Sequence, residues 1–497
     1  MIQLSAVGGM GRFLVKYLGM SHERTFVIFA VLALAAGCGT VRAVREARLE
    51  QETWADRGTG KEAERPVEQV RLVGWKLPQL VGFALANRPS MTRARLAVED
   101  ARIALRQVAA DAPLLSSTPW NALGASVSGG HSETSEMGHG IHGHTEGGAS
   151  ASLSLDLLLY DFGRNAAEAR AKAEDVIAAE CNVVGTGYSI FEEVASGYFT
   201  LLQNEALLEV AHAKVAEYEE HVKQAEMKME HGEAKEVDVL KAKLDLAKSV
   251  QDVVSASNDV ITAGADLMAS LGIDAAMGEY GAVLGPRPEG LDRAVRFFER
   301  TEDGAGALYD FACTNAPAMK VARARLRAAS HAVDVAVADL YPTVSASFSL
   351  NWTDPLWYWR WGVSGAQSLF TGWRKTAALE RATLALDSAA RDVDSAELDL
   401  SYALELAVAE RDNAEEALST ARASVQRGRE NLETVREQYQ VGDVSRVDYT
   451  DAAADYTEAL GDRVRAFYRG QIAEAKLFRL AGRMPKYSEE VIVEERK

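Results

Sequence analysis

An internal duplication constrains this chain more than any other feature. H-G-E-A-K-E-V-D-V at 231–239 corresponds to V-G-D-V-S-R-V-D-Y at 441–449, 210 positions later. The same shift relates Arg164 to Arg374 and Gly272 to Gly482. A shift that holds from 164 to 272 indicates two copies of one structural unit. Each copy is predicted to contain a long helix, a glycine turn and a returning helix.

The front half of each copy repeats at a different spacing. N-R-P-S-M begins at Asn87 and N-A-P-A-M begins at Asn315, 228 positions later. The shift falls from 228 in the front half to 210 in the back half, which indicates an insertion in the first copy between about 113 and 160. This stretch is rich in glycine and polar residues, which favours a surface loop. The predicted organisation is 75–277 for the first repeat, 278–312 for an equatorial linker or belt with short helices, 313–482 for the second repeat and 483–497 for a charged tail.

The N-terminal region is predicted to be a targeting segment. Residues 26–37 are an apolar run that ends at Cys38. The run is shorter than the ~20 residues that a membrane-spanning helix needs, and it suits a secretory signal peptide. A-A-G-C resembles a bacterial lipobox, which implies a lipoprotein signal peptide over 1–37 and lipidation of Cys38. Translation from Met20 is the expectation, because M-S-H-E-R then forms a short n-region of ordinary length. The polar and charged residues that follow predict a linker or strap over 38–74. The alternative is a plain signal peptide with a chance cysteine.

Composition and motifs exclude several classes of function. The formal net charge of −18 argues against nucleic acid as a partner, because nucleic-acid binding depends on Lys and Arg that neutralise phosphates. The three cysteines have no zinc-binding or redox spacing. The sequence has no phosphate-binding loop, nucleophile motif or metal triad. We therefore expect no enzymatic activity and no cofactor other than a lipid on Cys38.

Two segments alternate apolar and polar residues with a period of two. They are A-S-A-S-L-S-L-D-L-L-L at 149–159 and V-S-A-S-F-S-L-N-W at 344–352, each typical of a strand with one apolar face. Tryptophans cluster around the following turn, as in an aromatic girdle at a membrane interface. The girdle residues are Trp352, Trp357, Trp359 and Trp361. The alternative is a β-hairpin packed on a soluble core.

One chain supplies too few strands to stand alone in a membrane. Each copy contributes one hairpin, which gives four strands per chain. The backbone groups at the edges of an open sheet would be unsatisfied in lipid. Oligomerisation must therefore provide the remaining strands, and three chains would give a barrel of 12, an even number found in such barrels.

The long segments after the strands are predicted to be coiled coils. Residues 164–230 contain no proline and would reach about 100 Å as one helix. No globular core is wide enough to bury such helices, so they must pack against each other along alanine-rich seams. A soluble coiled-coil scaffold would show the same pattern, and only the alternating strands separate the two interpretations.

The order of these features resembles the TolC-type outer-membrane factor family. That order is a lipobox, N-x-P helix starts, two hairpins, Y-D-F-G-R and F-T-G-W-R after the strands, and two glycine-turn tips. The resemblance covers about 70–482. It implies a mixed α/β membrane fold in which a trimeric 12-strand outer-membrane β-barrel is continuous with a 12-helix periplasmic α-barrel. It also implies the outer membrane of a Gram-negative bacterium as the location.

The resemblance further implies a gate at the second tip. In the family, two aspartates after the Y-x-V-G turn line the periplasmic aperture, and they correspond to Asp448 and Asp451, with Asp455 extending the stripe. Residues at this spacing share a helix face, and a ring of carboxylates attracts cations. The alternative is a solvated acidic face. Where the family often has an arginine that ties the closed tip, this chain has Val444, and Arg446 follows two residues later.

The tips are also where the family contacts its periplasmic adaptor, which couples to an inner-membrane pump. We expect both turn glycines to adopt positive φ, where glycine has no steric penalty. A purely structural turn is the alternative. The predicted turn and contact residues are Gly232, Val237, Asp238, Tyr439, Val441, Gly442 and Val447.

The insertion contains a histidine-rich tract. Imidazole binds zinc, copper and nickel, so the tract is a weak metal candidate, although a solvated loop has the same composition. Its histidines are His131, His139, His142 and His144.

We predict that the chain is a passive outer-membrane exit duct of a tripartite efflux or type I secretion system, gated at its periplasmic tips. Its expected partners are two further copies of itself, the adaptor, the pump through that adaptor, and outer-membrane lipid. The alternatives are a periplasmic adaptor lipoprotein, which would have one hairpin, and a coiled-coil scaffold lipoprotein.

Overall fold

The structure is a computed structural model that describes residues 76–111, 123–132, 146–231, 235–273, 305–353, 356–441 and 443–483. The chain divides into two compact units, one built mainly from strands and one from helices. The described elements, in chain order, are α1 Leu77–Asn87, α2 Pro89–Asp111, β1 Leu123–Ser132, β2 Glu146–Tyr160, α3 Arg164–Glu230, α4 Glu236–Leu271, α5 Ala305–Asn315, α6 Pro317–Ala338, β3 Thr343–Thr353, β4 Leu356–Ala366, α7 Arg374–Val441 and α8 Arg446–Ala481.

The helix boundaries reproduce both spacings of the duplication. Helices α3 and α7 begin 210 residues apart, as do α4 and α8, whereas α1 and α5, and α2 and α6, begin 228 residues apart. Helix α5 begins at Ala305, inside the range 278–312 that the sequence suggested as a linker. A short helix agrees with the interpretation of this range as a belt with short helices, and buried Leu308 and Ala312 pack against α7 and α8 and hold it in place.

The two long helices organise the helical unit. Helix α3 has 67 residues and α7 has 68, which corresponds to about 100 Å each at 1.5 Å per residue. Helix α3 packs along α4, α6, α2 and α8, and α7 packs along α8 and α6. Gly185 lies inside α3 without breaking it, and a Cβ there would lie 3.3 Å from the Cβ of Pro317. The glycine therefore allows α6 to approach α3 closely. None of the described helices has an apolar stretch that could cross a membrane.

The main hydrophobic core lies where α1, α3, α4 and α8 meet. Its largest side chains are fully buried and come from three of these helices: Leu80, Phe191, Phe199, Leu267 and Leu271. Burial of each such side chain stabilises the fold by roughly 1.5–3 kcal/mol. Tyr198 and Tyr468 lie at the edge of this core, where burial raises the pKa of each hydroxyl to about 12.

Helix ends near this core are fixed by specific contacts. The Arg88 guanidinium, between α1 and α2, donates to both carboxylate oxygens of Glu193 on α3, at 2.5 and 2.9 Å. Gly482 ends α8 with φ +66°, and its carbonyl accepts a hydrogen bond of 2.8 Å from the Tyr188 hydroxyl. A Cβ at Gly482 would lie 2.9 Å from the Asn315 carbonyl oxygen, so only glycine fits without a shift.

The junctions that start α3 and α7 repeat one backbone motif. Phe162 and Gly163 both have positive φ, and so do Gly372 and Trp373. The ring of Phe162 stacks on that of Tyr341, with centroids 5.1 Å apart. The turn that contains Tyr341 follows α6, and Asp339 at its start joins both junctions. Its carboxylate pairs with Arg164 at 2.8 Å, and its carbonyl accepts from Lys375 Nζ at 2.6 Å.

The strands form one four-stranded sheet in the order β1-β2-β3-β4. Strands β1 and β2 are antiparallel, with Leu123 opposite Leu155 and Ser132 opposite Glu146. Both alternating segments of the sequence are therefore strands, as predicted. On β4, Trp359 and Trp361 share a face and are 64% and 68% exposed. Trp352 and Trp357 belong to β3 and β4, but their side chains are outside the described part.

Candidate functional site

The candidate site is the tip region, defined as the ends of the two coiled hairpins α3–α4 and α7–α8. Helix α3 ends at Glu230 and α4 begins at Glu236, while α7 ends at Val441 and α8 begins at Arg446. Gly232 and Gly442 lie outside the described residues, so their positive φ remains a prediction. The described side chains on either side of the turns form five groups: a helix cap, an exposed acidic face, a set of ties between the hairpins, an aromatic cluster and an exposed apolar surface.

The cap is a reciprocal pair at the start of α8. The Ser445 Oγ accepts a hydrogen bond from the Asp448 backbone N–H at 3.3 Å. The Asp448 carboxylate accepts from the Ser445 N–H at 3.0 Å and from its hydroxyl at 2.7 Å. Both bonds to the carboxylate lower the pKa of Asp448, and the bond from the hydroxyl has the larger effect. Asp448 therefore caps the helix.

The exposed acidic face continues along α8 beyond the cap. Asp451 and Asp455 are both exposed, one and two turns after Asp448. Residues at this spacing lie on one side of a helix. In one chain the three predicted gate residues therefore form a single solvent-facing stripe. Whether they line an aperture depends on neighbouring chains.

A charge pair ties the two hairpins together close to the turns. The Arg446 guanidinium on α8 lies 3.1 Å from Asp245 Oδ2 on α4. The two side chains are only 15% and 26% exposed. A partly desolvated pair is stronger than one on an open surface. Arg446 thus ties α8 to α4 within one chain, and Val444 lies two residues before it.

A second tie joins α3 to both helices of the other hairpin. Arg436 Nη2 on α7 lies 3.0 Å from both carboxylate oxygens of Glu217 on α3. The Tyr449 hydroxyl on α8 donates to the same carboxylate. Burial is the larger cause and this hydrogen bond the smaller, and both raise the pKa of Tyr449. Glu217 therefore connects α3 to α7 and α8 at once.

An aromatic cluster fills the space beside these ties. The rings of Tyr439 and Tyr449 stack with centroids 5.3 Å apart, and His221 of α3 lies 4.9 Å from Tyr449 and 5.7 Å from Tyr439. His221 is fully buried, and neither of its ring nitrogens has a hydrogen-bond partner among the described residues. Lys228 Nζ lies 3.6 Å from the centroid of the Tyr439 ring and donates to the Tyr439 carbonyl.

The predicted adaptor-contact residues differ in exposure. Val237, Val441 and Val447 are 56%, 79% and 53% exposed, so they form an apolar surface at the tips. Asp238 instead accepts from the Lys235 N–H at 3.3 Å and caps α4, as Asp448 caps α8. Tyr439 is 7% exposed, and its ring belongs to the intrachain cluster.

Several predicted sites lie outside the described residues. These include Cys38, the predicted start Met20, and three of the four histidines of the insertion, His139, His142 and His144. His131 lies in β1, where only the backbone is described. Within the described part of the chain, no three His, Cys, Asp or Glu side chains are grouped to hold a metal ion.

Sequence reasoning missed the residues that tie the hairpins. Glu217, His221 and Asp245 face partners about 200 positions away, and no pattern within one sequence reports such pairing. The cap of α8 was detectable, because S-R-V-D at 445–448 has the S/T-x-x-D/E form of a capping box.

Comparison with known proteins agrees with the fold and with the repeated hairpins. The family model described as outer membrane efflux protein matches residues 80–273 and 308–483. Comparison with curated protein sequences gives no match. Because this family model covers most of the chain, the protein is of the class of outer-membrane efflux channels. The chain belongs to the outer membrane efflux protein family.

Solved structures of outer-membrane proteins share this fold. A crystal structure of CusC superposes with a TM-score of 0.71 at 20% identity, covering 82% of this chain and 92% of that one. VceC from Vibrio cholerae gives 0.70 at 20% identity, covering 82% and 96%. The open state of the MtrE channel from Neisseria gonorrhoeae gives 0.69 at 18% identity, covering 84% and 92%. The chain is thus an outer-membrane exit duct, and the adaptor alternative receives no support.

Proposed function

We propose that three copies of this chain form a lipid-anchored, gated duct for export across the outer membrane of a Gram-negative bacterium. In this proposal three sheets close a 12-strand barrel, and the helices of three chains form a 12-helix periplasmic tunnel. A periplasmic adaptor docks at the tips and couples the duct to an inner-membrane pump. The observation that carries the proposal is the pair of coiled hairpins tied at their tips beside a carboxylate stripe.

The sheet supports closure by oligomerisation. Among the described strands, β1 and β4 are at the edges, and each has one neighbour. Open edges are unfavourable in lipid because their backbone groups lack hydrogen-bond partners. The face of β4 that carries Trp359, Trp361 and Val363 is exposed in a single chain, as a lipid-facing surface requires.

The helices support a ring in which unlike surfaces meet. On α4, apolar residues recur at heptad positions, and each is between 49% and 59% exposed. They are Val237, Leu240, Leu244, Val254 and Ile261. Helix α7 carries a different exposed stripe that includes Leu384, Leu398 and Tyr402. Two different apolar stripes on one chain suit a closed ring of identical copies.

The tip geometry supports gating by relative movement of the hairpins. The Arg446–Asp245 and Arg436–Glu217 pairs hold α7–α8 against α3–α4. When both ties are made, three copies would bring their acidic stripes together at one mouth, where like charges repel and cations are attracted. The exposed valines at positions 237, 441 and 447 offer an apolar surface to an adaptor.

The gate assignment is tested by charge-neutral variants that keep the helix cap. Asp451→Asn with Asp455→Asn removes two carboxylates per chain and leaves the Ser445–Asp448 cap intact. Single-channel recordings in lipid bilayers should show weaker block by trivalent cations. Asp399→Asn with Asp412→Asn on α7, far from the tips, is the matched control. Unchanged block in the α8 variant would reject the gate.

The lipid anchor is tested separately. Mass spectrometry of the mature protein should find an acylated Cys38 at the N-terminus. A mature chain that begins elsewhere, or an unmodified Cys38, would remove the anchor without affecting the channel assignment.

A further inference from the structure

We propose that His221 makes the tip ties sensitive to pH, so that the two hairpins stay together near neutral pH and loosen in mild acid. The inference rests on the proposed gating function and concerns the regulation of the same tips. It starts from the position of one imidazole, which is completely buried between two hairpins and lacks a hydrogen-bond partner among the described residues.

The imidazole fits its site as a neutral ring. Tyr439 of α7 and Tyr449 of α8 flank it, with ring centroids at 5.7 and 4.9 Å. A flat neutral ring packs well against two stacked aromatics. The neutral ring leaves one N–H without an acceptor among the described residues, whereas an imidazolium would leave two and would also bury a charge.

Charges on all four surrounding helices bear on the same ring. On its own helix α3 these are Glu217 and Lys228, and on α4 the charge is Asp245. From α8 the nearest cation is Arg446, and from α7 Arg436 pairs with Glu217. Both carboxylates are already engaged by arginines, Glu217 by Arg436 and Asp245 by Arg446. They are therefore poorly available to stabilise an imidazolium.

Burial, and then the Arg446 charge, lower the pKa of His221 in this arrangement. When the hairpins separate, the ring reaches water and its pKa returns toward about 6.5. The free-energy preference for the tied state over the separated state is therefore complete above that pH, and it is lost as the pH falls below it. If the tied state does not protonate at all, the balance shifts toward the separated state by at most about 30-fold per chain between pH 7.5 and pH 5.0.

Protonation of His221 weakens the ties between the two hairpins. Protonation places a cation against Arg446 and Lys228 in the same cluster that holds Tyr449 on Glu217 and Arg446 on Asp245. Like charges in a partly buried cluster repel, so the ties that join α8 to α3 and α4 weaken together. Acidification should thus release the second hairpin from the first, beginning at its tip.

The experiment uses the full-length protein in lipid bilayers, with channel opening recorded between pH 7.5 and pH 5.0. This range lies above the usual pKa of the exposed tip aspartates, about 3.9. The wild-type protein should open more often as the pH falls. His221→Phe, which keeps an aromatic ring that cannot be protonated, should respond at most weakly. His212→Phe, at an exposed position nine residues earlier on the same helix, should respond like the wild type.

Hydrogen exchange provides a second measurement that does not depend on conduction. It shows whether a variant is folded at the tip, and it tests the pH response separately from the proposal that the protein is a duct. Hydrogen exchange of the amides of 443–452, corrected for the intrinsic effect of pH, should accelerate in acid in the wild type and in His212→Phe but not in His221→Phe or His221→Leu. Equal acid responses in the wild type and the two His221 variants would overturn the inference. So would a wild-type protein without a pH response. A protein that never conducts but shows the exchange pattern would instead reject the duct and leave the switch standing.

Discussion

The Arg446–Asp245 pair gives the sharpest test of how the tips are held. The two charged groups lie 3.1 Å apart, on different hairpins, with side chains 15% and 26% exposed. Fully exposed pairs are worth about 0.2–1 kcal/mol, and breaking a buried pair costs about 3–5 kcal/mol. A partly buried pair should therefore contribute roughly 1–3 kcal/mol, which corresponds to about a 5- to 150-fold shift toward the separated state in each chain.

The assay is a double-mutant cycle read by single-channel recording. Arg446→Gln and Asp245→Asn should each raise the open probability, and the double variant should open less than the product of the two single effects predicts, because the pair can be lost only once. Arg391→Gln is the matched control, since Arg391 pairs with Asp394 at 2.7 Å within α7 and both side chains are largely exposed. Single variants with wild-type gating, or effects that combine independently, would refute the tie.

Three further predictions concern local stability. Ser445→Ala removes the cap of α8 and should destabilise its first turn by about 1 kcal/mol, seen as faster hydrogen exchange at 446–449, whereas Ser419→Ala in mid-α7 should leave those amides unchanged. Gly482→Ala should lower the thermal midpoint of unfolding, since the position has φ +66° and a Cβ would meet Asn315, while Gly82→Ala in open space on α1 should maintain or raise it; the reverse order would contradict the cap. The pKa values of Tyr198 and Tyr468, each about 12, exceed the value of about 10 expected on unfolding, so stability should fall as the pH rises from 10 to 12; Tyr198→Phe should reduce that loss, and an unchanged alkaline transition would argue against burial of the hydroxyl.

The duplication made much of the fold predictable. Its two shifts, of 210 and 228 positions, are also the spacings between the starts of the paired helices, because one structural unit repeated in sequence must repeat in space. The period-two alternation identified strands in both copies. Short helices were predicted within 278–312, but the start of α5 could not be placed, because the helix depends on tertiary packing of Leu308. The cap at Ser445 follows from local sequence.

The candidate site was only partly accessible to the same reasoning. Asp448, Asp451 and Asp455 could be placed on one helix face from their spacing, and the capping role of Asp448 that S-R-V-D indicates is confirmed by its hydrogen bonds to Ser445. Glu217, His221 and Arg436 look like ordinary residues of a solvated coiled coil. Their connection depends on how two hairpins pack side by side, which a single sequence does not encode in any local pattern.

The central claim is that copies of this chain form a closed passage through the outer membrane. Its most direct test is ion conductance across a planar lipid bilayer after reconstitution of the purified, full-length protein. The account predicts discrete current steps from an assembly that chemical cross-linking identifies as three chains. A monomer that stays in aqueous solution without detergent and produces no current would contradict it.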